Sequence, residues 1–419
     1  MELESRFKAA LGEIDHCNKC GFCLPACPTY RLTGSELDSP RGRIALVEGV
    51  LKNEISVDRG LEASLTYCLG CRACETACPS GVQYHRVLEA GRTLLDKSRP
   101  RHRGLTFVPR TLLRLTRQPR QLRRLGRLAR RLSKWPMPRS MKNLIPMLDY
   151  QPQIVPPTPT RSEPQAAVAF FQGCVQEALF GDANQACQAL LEAFGYRVDV
   201  PSQQTCCGAL AWHAGKTDQA RNMARRNIAA FEATGQVPLV NTAGGCGAML
   251  SEYAEIFAED LEWAARAEHF SNRVQDWTGI IRDQSVLPRF VGEGSRVVLQ
   301  NSCHLVNVEG GGDGPADLAK WVEGDTFLEL KGQNQCCGSA GIYNIQHPDW
   351  SGRLLDKKME EVSCASPDRI VVVNPGCQLQ MTWGVSRSGL SAEVEHLARY
   401  LYRAFVRGQR EPQSLDQVE

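Results

Sequence analysis

A chain of 419 residues, 42% hydrophobic and 23% charged, is long enough for two or three compact domains with ordinary soluble cores. Its 18 cysteines fall into spaced motifs, which argues for metal ligation in a reducing compartment and against a secreted disulfide scaffold. The net charge of +3 hides an asymmetry: residues 97–148 carry sixteen Lys or Arg and no Asp or Glu, leaving 33 basic against 46 acidic residues elsewhere, a net of −13.

The N-terminus, Met1 to Lys8, is charged and lacks the apolar stretch of a signal peptide. No segment approaches the roughly 18–20 uncharged apolar residues of a spanning helix, so a cytoplasmic or peripheral protein is expected. The first motif is Cys17, Cys20, Cys23, Cys27 and Pro28, in the pattern C-x2-C-x2-C-x3-C-P, and it recurs at Cys68, Cys71, Cys74, Cys78 and Pro79. This is the bacterial ferredoxin run for [4Fe–4S] cubes, in which three cysteines wrap one cube and the fourth reaches the neighbouring one. Cys17, Cys20, Cys23 and Cys78 are therefore expected to hold one cluster, and Cys68, Cys71, Cys74 and Cys27 the other. Zinc is the rival ligand, but structural zinc sites pair well-separated C-x2-C knuckles and seldom draw four ligands from one short run.

Between the two runs, Ser39-Pro40 reads as an N-cap followed by proline at the first helical position, with Ile44, Val47, Val50 and Leu51 on one helical face. A second helix from about Leu61 delivers Cys68. The expected unit is an all-helical ferredoxin domain over residues 1–98, its two cubes clamped between helices.

Residues 99–165 form a basic segment and linker. Leu122, Leu125, Leu128 and Leu132 repeat at helical spacing among Arg123, Arg124, Arg127, Arg130 and Arg131. Such a helix can lie against an anionic membrane, gaining about 1 kcal/mol per basic residue near the surface, or pack on an acidic partner subunit. No aromatic platform or recognition motif accompanies it, so nucleic acid is not expected. Gln151 to Pro164 is a proline-rich, semi-rigid linker marking a domain boundary.

The remaining chain is an internal repeat, assigned to residues 166–292 and 293–419. Cys174, Cys206-Cys207-Gly208 and Cys246 in the first copy match Cys303, Cys336-Cys337-Gly338 and Cys377 in the second, at offsets of 129, 130 and 131. Near-constant offsets mean duplication of one structural module. Ala166–Phe171, Pro238–Asn241, Val297–Gln300 and Ile370–Asn374 are short β-rich runs, each leading to a cysteine turn and a helical pattern. Strand, cysteine turn and helix predict an α/β unit with ligands at strand C-termini. The overall expectation is an α+β multidomain protein: a helical ferredoxin domain, then two tandem α/β cysteine-rich repeats.

Consecutive cysteine side chains diverge, so Cys206-Cys207 and Cys336-Cys337 can grip different irons of one assembly. The glycine after each pair permits a sharp turn or close approach. Four thiols per copy suffice for one cluster, and a scaffold of packed, reduced thiols is the plainer alternative. Cys187 and Cys364 have no counterparts and read as structural. His213 and His304 read as satisfied polar groups near a site, and Gly310 to Gly314 as a flexible turn without a preceding strand or phosphate-loop lysine. No flavin or nicotinamide signature, nucleophile elbow or carboxylate pair is found, so hydride chemistry needs a flavin-bearing partner.

Several stretches resemble one family: Cys20-Gly-Phe-Cys23, Cys27-Pro-Thr-Tyr30, Asp38-Ser-Pro-Arg-Gly-Arg-Ile44, Cys78-Pro-Ser-Gly-Val-Gln-Tyr-His85, Cys206-Cys-Gly-Ala209, Gly245-Cys-Gly-Ala248, Cys336-Cys-Gly-Ser-Ala-Gly341 and Gly376-Cys-Gln378. Together they resemble the iron–sulfur subunit of bacterial glycolate oxidase (glycolate dehydrogenase). The cysteine motifs alone are shared with lactate-utilisation proteins, the anaerobic glycerol-3-phosphate dehydrogenase anchor subunit and heterodisulfide reductase. The resemblance implies a complex with FAD-binding subunits that oxidise glycolate to glyoxylate. This chain would pass the electrons towards membrane quinone from the inner face of the cell membrane. One departure counts against heterodisulfide chemistry: Cys246-Gly-Ala-Met249 and Cys377-Gln-Leu-Gln380 lack the fifth cysteine of those relatives.

Overall fold

The computed structural model describes residues 2–98, 166–284 and 288–410. The basic helix and proline-rich linker expected between 99 and 165 lie outside these residues.

The first unit is helical, its principal helices being Glu2–Asp15, Pro40–Leu51, Arg59–Thr66 and Tyr84–Ser98. Ser39 Oγ accepts the Gly42 amide at 2.9 Å and Pro40 fills the first helical position, where no N–H is needed. Asp58 caps the next helix through the Leu61 amide at 2.8 Å. Ile44 and Val47 are buried against Leu61, Leu65, Val87 and Leu95, with Val50 and Leu51 half-buried at the edge. Full burial of each such side chain is worth about 1.5–3 kcal/mol. Gly91 lets its helix approach two others, because a Cβ there would stand 2.8 Å from Leu65 and 2.9 Å from Val47.

The second half contains two four-stranded parallel sheets. Strands β1 (Ala166–Phe171), β2 (Tyr196–Asp199), β3 (Leu239–Asn241) and β4 (Val274–Asp276) run in the order β2-β1-β3-β4. Strands β5 (Arg296–Gln300), β6 (Thr326–Leu328), β7 (Arg369–Val372) and β8 (Glu393–His396) repeat it as β6-β5-β7-β8. The four expected strands are the central pair of each sheet. The four not expected are all edges, three or four residues long and partly exposed, without the continuous apolar run that marks a buried parallel strand.

Side-chain alternation organises the layers. Val168 and Phe170 of β1, Val297 and Leu299 of β5, and Val371 of β7 enter one core common to both repeats, which also holds Leu190, Trp277, Leu401 and Phe405. The intervening Ala169 and Phe171 face the first repeat's own helices, and Val298, Ile370 and Val372 face the second's. The two sheets thus flank a shared layer of helices and form one packed body. The stretch Gly310 to Gly314, expected as a flexible turn, instead leads straight into the helix Asp313–Lys320. Gly314 is buried, and a Cβ there would collide with Thr278, so the glycine serves close packing. Among the described residues, no helix is long and apolar enough to cross a membrane.

Candidate metal centres

The ferredoxin cysteines form an outer and an inner set. Cys17, Cys20, Cys23 and Cys78 line one cleft, together with Cys74, Ile44, Pro79 and Tyr84. Cys20 is exposed and the other three are half-buried. Cys27, Cys68, Cys71 and Cys74 are buried, and Cys27 lies close enough for its charge to disfavour ionisation of Cys71 and Cys74. Burial pushes the Cys71 and Cys74 thiols well up. Burial also opposes ionisation of Cys68, yet the Arg43 and Arg92 guanidiniums outweigh it and hold that thiol below its ordinary value. The Gly70 amide donates to Cys68 Sγ at 3.4 Å and the Tyr84 hydroxyl at 3.6 Å. Arg43 is 1% exposed and donates to the Ser64 carbonyl at 2.8 Å and the Thr29 hydroxyl at 3.2 Å. A buried cation and N–H···S bonds around a dry thiol set fit an anionic iron–sulfur cube, whose potential such groups tune. Among the described residues no three His, Cys, Asp or Glu side chains converge on a single metal ion.

Each repeat gathers its four cysteines at the C-terminal ends of its first three strands. Cys174 follows β1, Cys206 and Cys207 follow β2, and Cys246 follows β3; Cys303, Cys336, Cys337 and Cys377 follow β5, β6 and β7 likewise. The chain leaves β1 and β3 in opposite directions across the sheet, which opens the crevice where parallel sheets bind ligands. Both glycines of the Cys-Cys-Gly turns are left-handed, φ 92° at Gly208 and 90° at Gly338. A Cβ at Gly208 would meet Ala220 O at 3.3 Å, and one at Gly338 would meet Ser351 O at 3.1 Å. Glycine is therefore required twice over, by backbone angle and by close helix packing. Cys174 and Cys206 Sγ lie 3.3 Å apart, and Gly208 N donates to Cys206 Sγ at 3.5 Å. In the second repeat Cys336 and Cys337 point into different apolar clusters, the divergence expected of neighbours. Four thiols with amide donors fit a cluster in each copy.

The surroundings of the two copies differ. The Cys337 thiol is held below its ordinary value chiefly by a hydrogen bond with Cys377, against burial, with the Ser339 amide and the 5% exposed Lys358 adding smaller contributions. Offsets of 130 and 131 place Ile228 and Asn227 at that position in the first repeat. There the neighbours are acidic: Glu309 is buried against Gly247, its carboxyl pushed well up by burial, Asp276 and Cys246.

The seams with the ferredoxin unit differ as well. The first repeat meets it through charge: Arg72 pairs with Glu252, and His85 bridges Glu75 at 3.1 Å and Glu255 at 3.3 Å. Hydrogen bonds to Glu255 and Glu75 overcome burial and raise His85 to about 9. The second repeat meets it through an apolar cluster of Leu69, Cys71, Tyr343 and Leu354, against which Cys303, Cys336 and Trp350 pack. Tyr67 stacks on Trp350 at 4.2 Å between ring centroids. Asn307 Nδ2 donates to the Cys71 carbonyl at 2.8 Å, and His304 Nε2 lies 3.0 Å from the Gly70 carbonyl.

His213 and His304 are stacked, 5.8 Å between centroids, in the narrow pocket where all three units meet. Burial brings His304 down to about 4, so it is neutral, and His213 Nδ1 lies 3.7 Å from Glu89. Both have ordinary polar neighbours. Cys187 is fully buried in the common core and Cys364 is exposed on the helix Pro348–Ala365, away from either thiol set. Sequence reasoning missed Arg43, Arg92, Tyr343 and Lys358. The available signal for Lys358 was a lysine among Leu354, Leu355, Met359 and Val362 on the apolar face of its helix.

Comparison with known proteins agrees with this layout. The 4Fe-4S dicluster domain family matches residues 13–82, and the cysteine-rich domain family matches 168–251 and 297–382. A probable glycolate oxidase iron-sulfur subunit from Bacillus subtilis (strain 168) is 36% identical, over 96% of this chain and 97% of its own length. The glycolate oxidase iron-sulfur subunit of Escherichia coli (strain K12) is 31% identical over 87% of this chain and 89% of its own length. Lactate utilization protein A of Oceanobacillus iheyensis is 31% identical over 56% of this chain and 96% of its own length. With two thiol sets in a helical dicluster domain and a duplicated cysteine-rich module behind them, the chain belongs to the family of glycolate oxidase iron–sulfur subunits.

Proposed function

We propose that this chain is the electron-transfer subunit of a glycolate dehydrogenase. It would collect electrons from FAD on partner subunits that oxidise glycolate to glyoxylate and pass them towards membrane quinone. The observation that carries the reading is likeness along nearly the whole chain to proteins named as glycolate oxidase iron-sulfur subunits, together with the two thiol sets of the dicluster domain. A [4Fe–4S] cube, when bound, supplies one-electron transfer without making or breaking a bond. The chain's own residues do the rest. Cys17, Cys20, Cys23 and Cys78 would hold the outer cluster beside the exposed Phe22, where a partner can approach. Cys68, Cys71, Cys74 and Cys27 would hold the inner one, with Arg43 supplying counter-charge and Leu69 and Tyr343 excluding water. Cys174, Cys206, Cys207 and Cys246, and Cys303, Cys336, Cys337 and Cys377, are candidate ligands for further clusters. The basic residues between 97 and 148 supply attraction to an anionic membrane surface. Likeness to lactate utilization protein A over about half the chain makes lactate the second candidate donor.

The test uses the native complex, purified anaerobically through a tag on this chain. Glycolate, D-lactate, L-lactate and glycerol 3-phosphate are added separately while cluster absorbance is followed. Rapid bleaching by glycolate is the expected result; bleaching by another acid alone would reassign the donor, and none by any would overturn the dehydrogenase reading.

A further inference from the structure

The duplicated thiol sets are equivalent in backbone and unequal in position. Cys174, Cys206, Cys207 and Cys246 sit in an apolar cluster built from first-repeat residues alone. Cys303 and Cys336 instead pack into the cluster that contains Cys71 of the ferredoxin unit. The contact is held on both sides: Asn307 binds the Cys71 carbonyl, Thr76 Oγ1 lies 3.0 Å from Asn307 Oδ1, and His304 meets the Gly70 carbonyl.

A second, separate observation concerns charge. Lys358 is an almost fully buried amine: burial disfavours its charged form, its Nζ donates to the Gly332 carbonyl, and its anionic neighbours are Glu361 first and then Cys337, Cys336 and Cys377. A buried cation is costly unless an anion lies beside it. Glu361 supplies one such anion, and a thiolate-ligated centre on Cys337 would supply a second. In the first repeat the corresponding residues are Ile228 and Asn227, and the acid Glu309 lies against the turn that carries Cys246.

We propose that the second cysteine-rich repeat carries the redox centre that exchanges electrons directly with the ferredoxin unit, across the contact of Cys71 with Cys303 and Cys336, and that the first repeat stands outside this contact. The proposal rests on the electron-transfer reading above and adds an order to it: outer ferredoxin set, inner ferredoxin set, second repeat. One electron passes between the inner set and the second repeat; the former is oxidised and the latter reduced, with no bond made and no proton required. The upstream reductant is a reduced flavin in the complex, and dithionite in the test.

The full-length chain, purified anaerobically and reduced with dithionite, is examined by low-temperature EPR alongside Cys337→Ser, its counterpart Cys207→Ser, and Trp350→Ala. Cys337→Ser should lose second-repeat iron and remove the magnetic coupling that this centre imposes on the inner ferredoxin signal. Cys207→Ser should leave that coupling in place. Trp350→Ala replaces no cysteine and removes the Tyr67 stack, so it should weaken the coupling with iron retained, which keeps the test open if Cys337→Ser fails to fold. Coupling lost in Cys207→Ser and kept in Cys337→Ser, or kept at full strength in Trp350→Ala, would overturn the proposal. Dithionite bypasses the flavin partner, so failure of glycolate to bleach the complex and failure of this coupling are separate results.

Discussion

The two cysteine-rich repeats share a skeleton and differ in what surrounds it. Strand order, the position of each cysteine beyond its strand, and the left-handed glycine after each Cys-Cys pair are the same in both. What differs is charge and company. The second repeat sets Lys358 beside Cys337 and turns Cys303 and Cys336 towards Cys71. The first encloses its thiols in its own core, with Glu309 behind Cys246 and an ion-paired seam to the ferredoxin unit. Duplication copies a ligand set whole, because the backbone that presents it is one folding module. Whether a copy can hold an anionic centre is then decided by individual side chains around it, which diverge one at a time.

That contrast can be broken directly. The largest effect is expected from Lys358→Met, which keeps the volume and removes the counter-charge. Without metal the variant loses the Lys358 bond to the Gly332 carbonyl and should be destabilised by about 1–3 kcal/mol. Its second-repeat centre should bind iron about 10–100-fold more weakly, the usual cost of losing an outer-shell group, as read by iron loss to a chelator. If iron retention is unchanged, the lysine is not what separates the repeats.

Asn227→Ala comes next and addresses the first repeat. Asn227 is fully buried, accepts from the Thr205 amide at 2.7 Å and donates to the Cys206 carbonyl at 3.0 Å, with Tyr253 Oη also 3.0 Å away. Stranding the buried amide should destabilise the fold by about 1–3 kcal/mol, measured by denaturant midpoint. The inner ferredoxin EPR signal should not change.

The seams predict a smaller, pH-dependent difference. His85 is raised from 6.5 to about 9 by Glu255 and Glu75 against burial, so the folded state holds the proton more tightly than the unfolded one. Its contribution is fully present below about 6.5 and is lost as pH rises through about 9. Hydrogen exchange in Tyr84–Ser98 should therefore quicken over that window, and His85→Gln should flatten the dependence. The seam with the second repeat, built from Tyr67, Trp350, Leu69 and Leu354, should show no matching change. The smallest effect is Tyr67→Leu, which loses the ring stack and keeps an apolar side chain, at about 0.5–1.5 kcal/mol in thermal stability.

The parts legible in the sequence were those written in spacing. Cysteine intervals mark the two ferredoxin runs, constant offsets reveal the duplication, and apolar runs mark β1, β3, β5 and β7, which are buried on both faces. The Ser39-Pro40 start and the roles of Gly208 and Gly338 are local chemistry and were equally readable. The edge strands were not, because β2, β4, β6 and β8 are too short and polar to stand out from turns. Nor was the meeting of Cys71 with Cys303 and Cys336, more than 200 residues apart, since docking between units leaves no period in the chain. Arg43 and Lys358 fall between these cases. Each interrupts an apolar helical face, but only the fold shows that each cation stands beside thiols.

The ferredoxin pair is the core of a proposed series of iron–sulfur sites. Iron, acid-labile sulfide and zinc should be measured together on the anaerobically purified full-length protein, with EPR before and after dithionite. The prediction is at least about eight irons and eight sulfides per chain, the content of two four-iron cubes, and interacting reduced-cluster signals that appear only with dithionite. Stoichiometric zinc, with iron and sulfide near zero, would contradict it and make the cysteine sets a metal-stabilised scaffold.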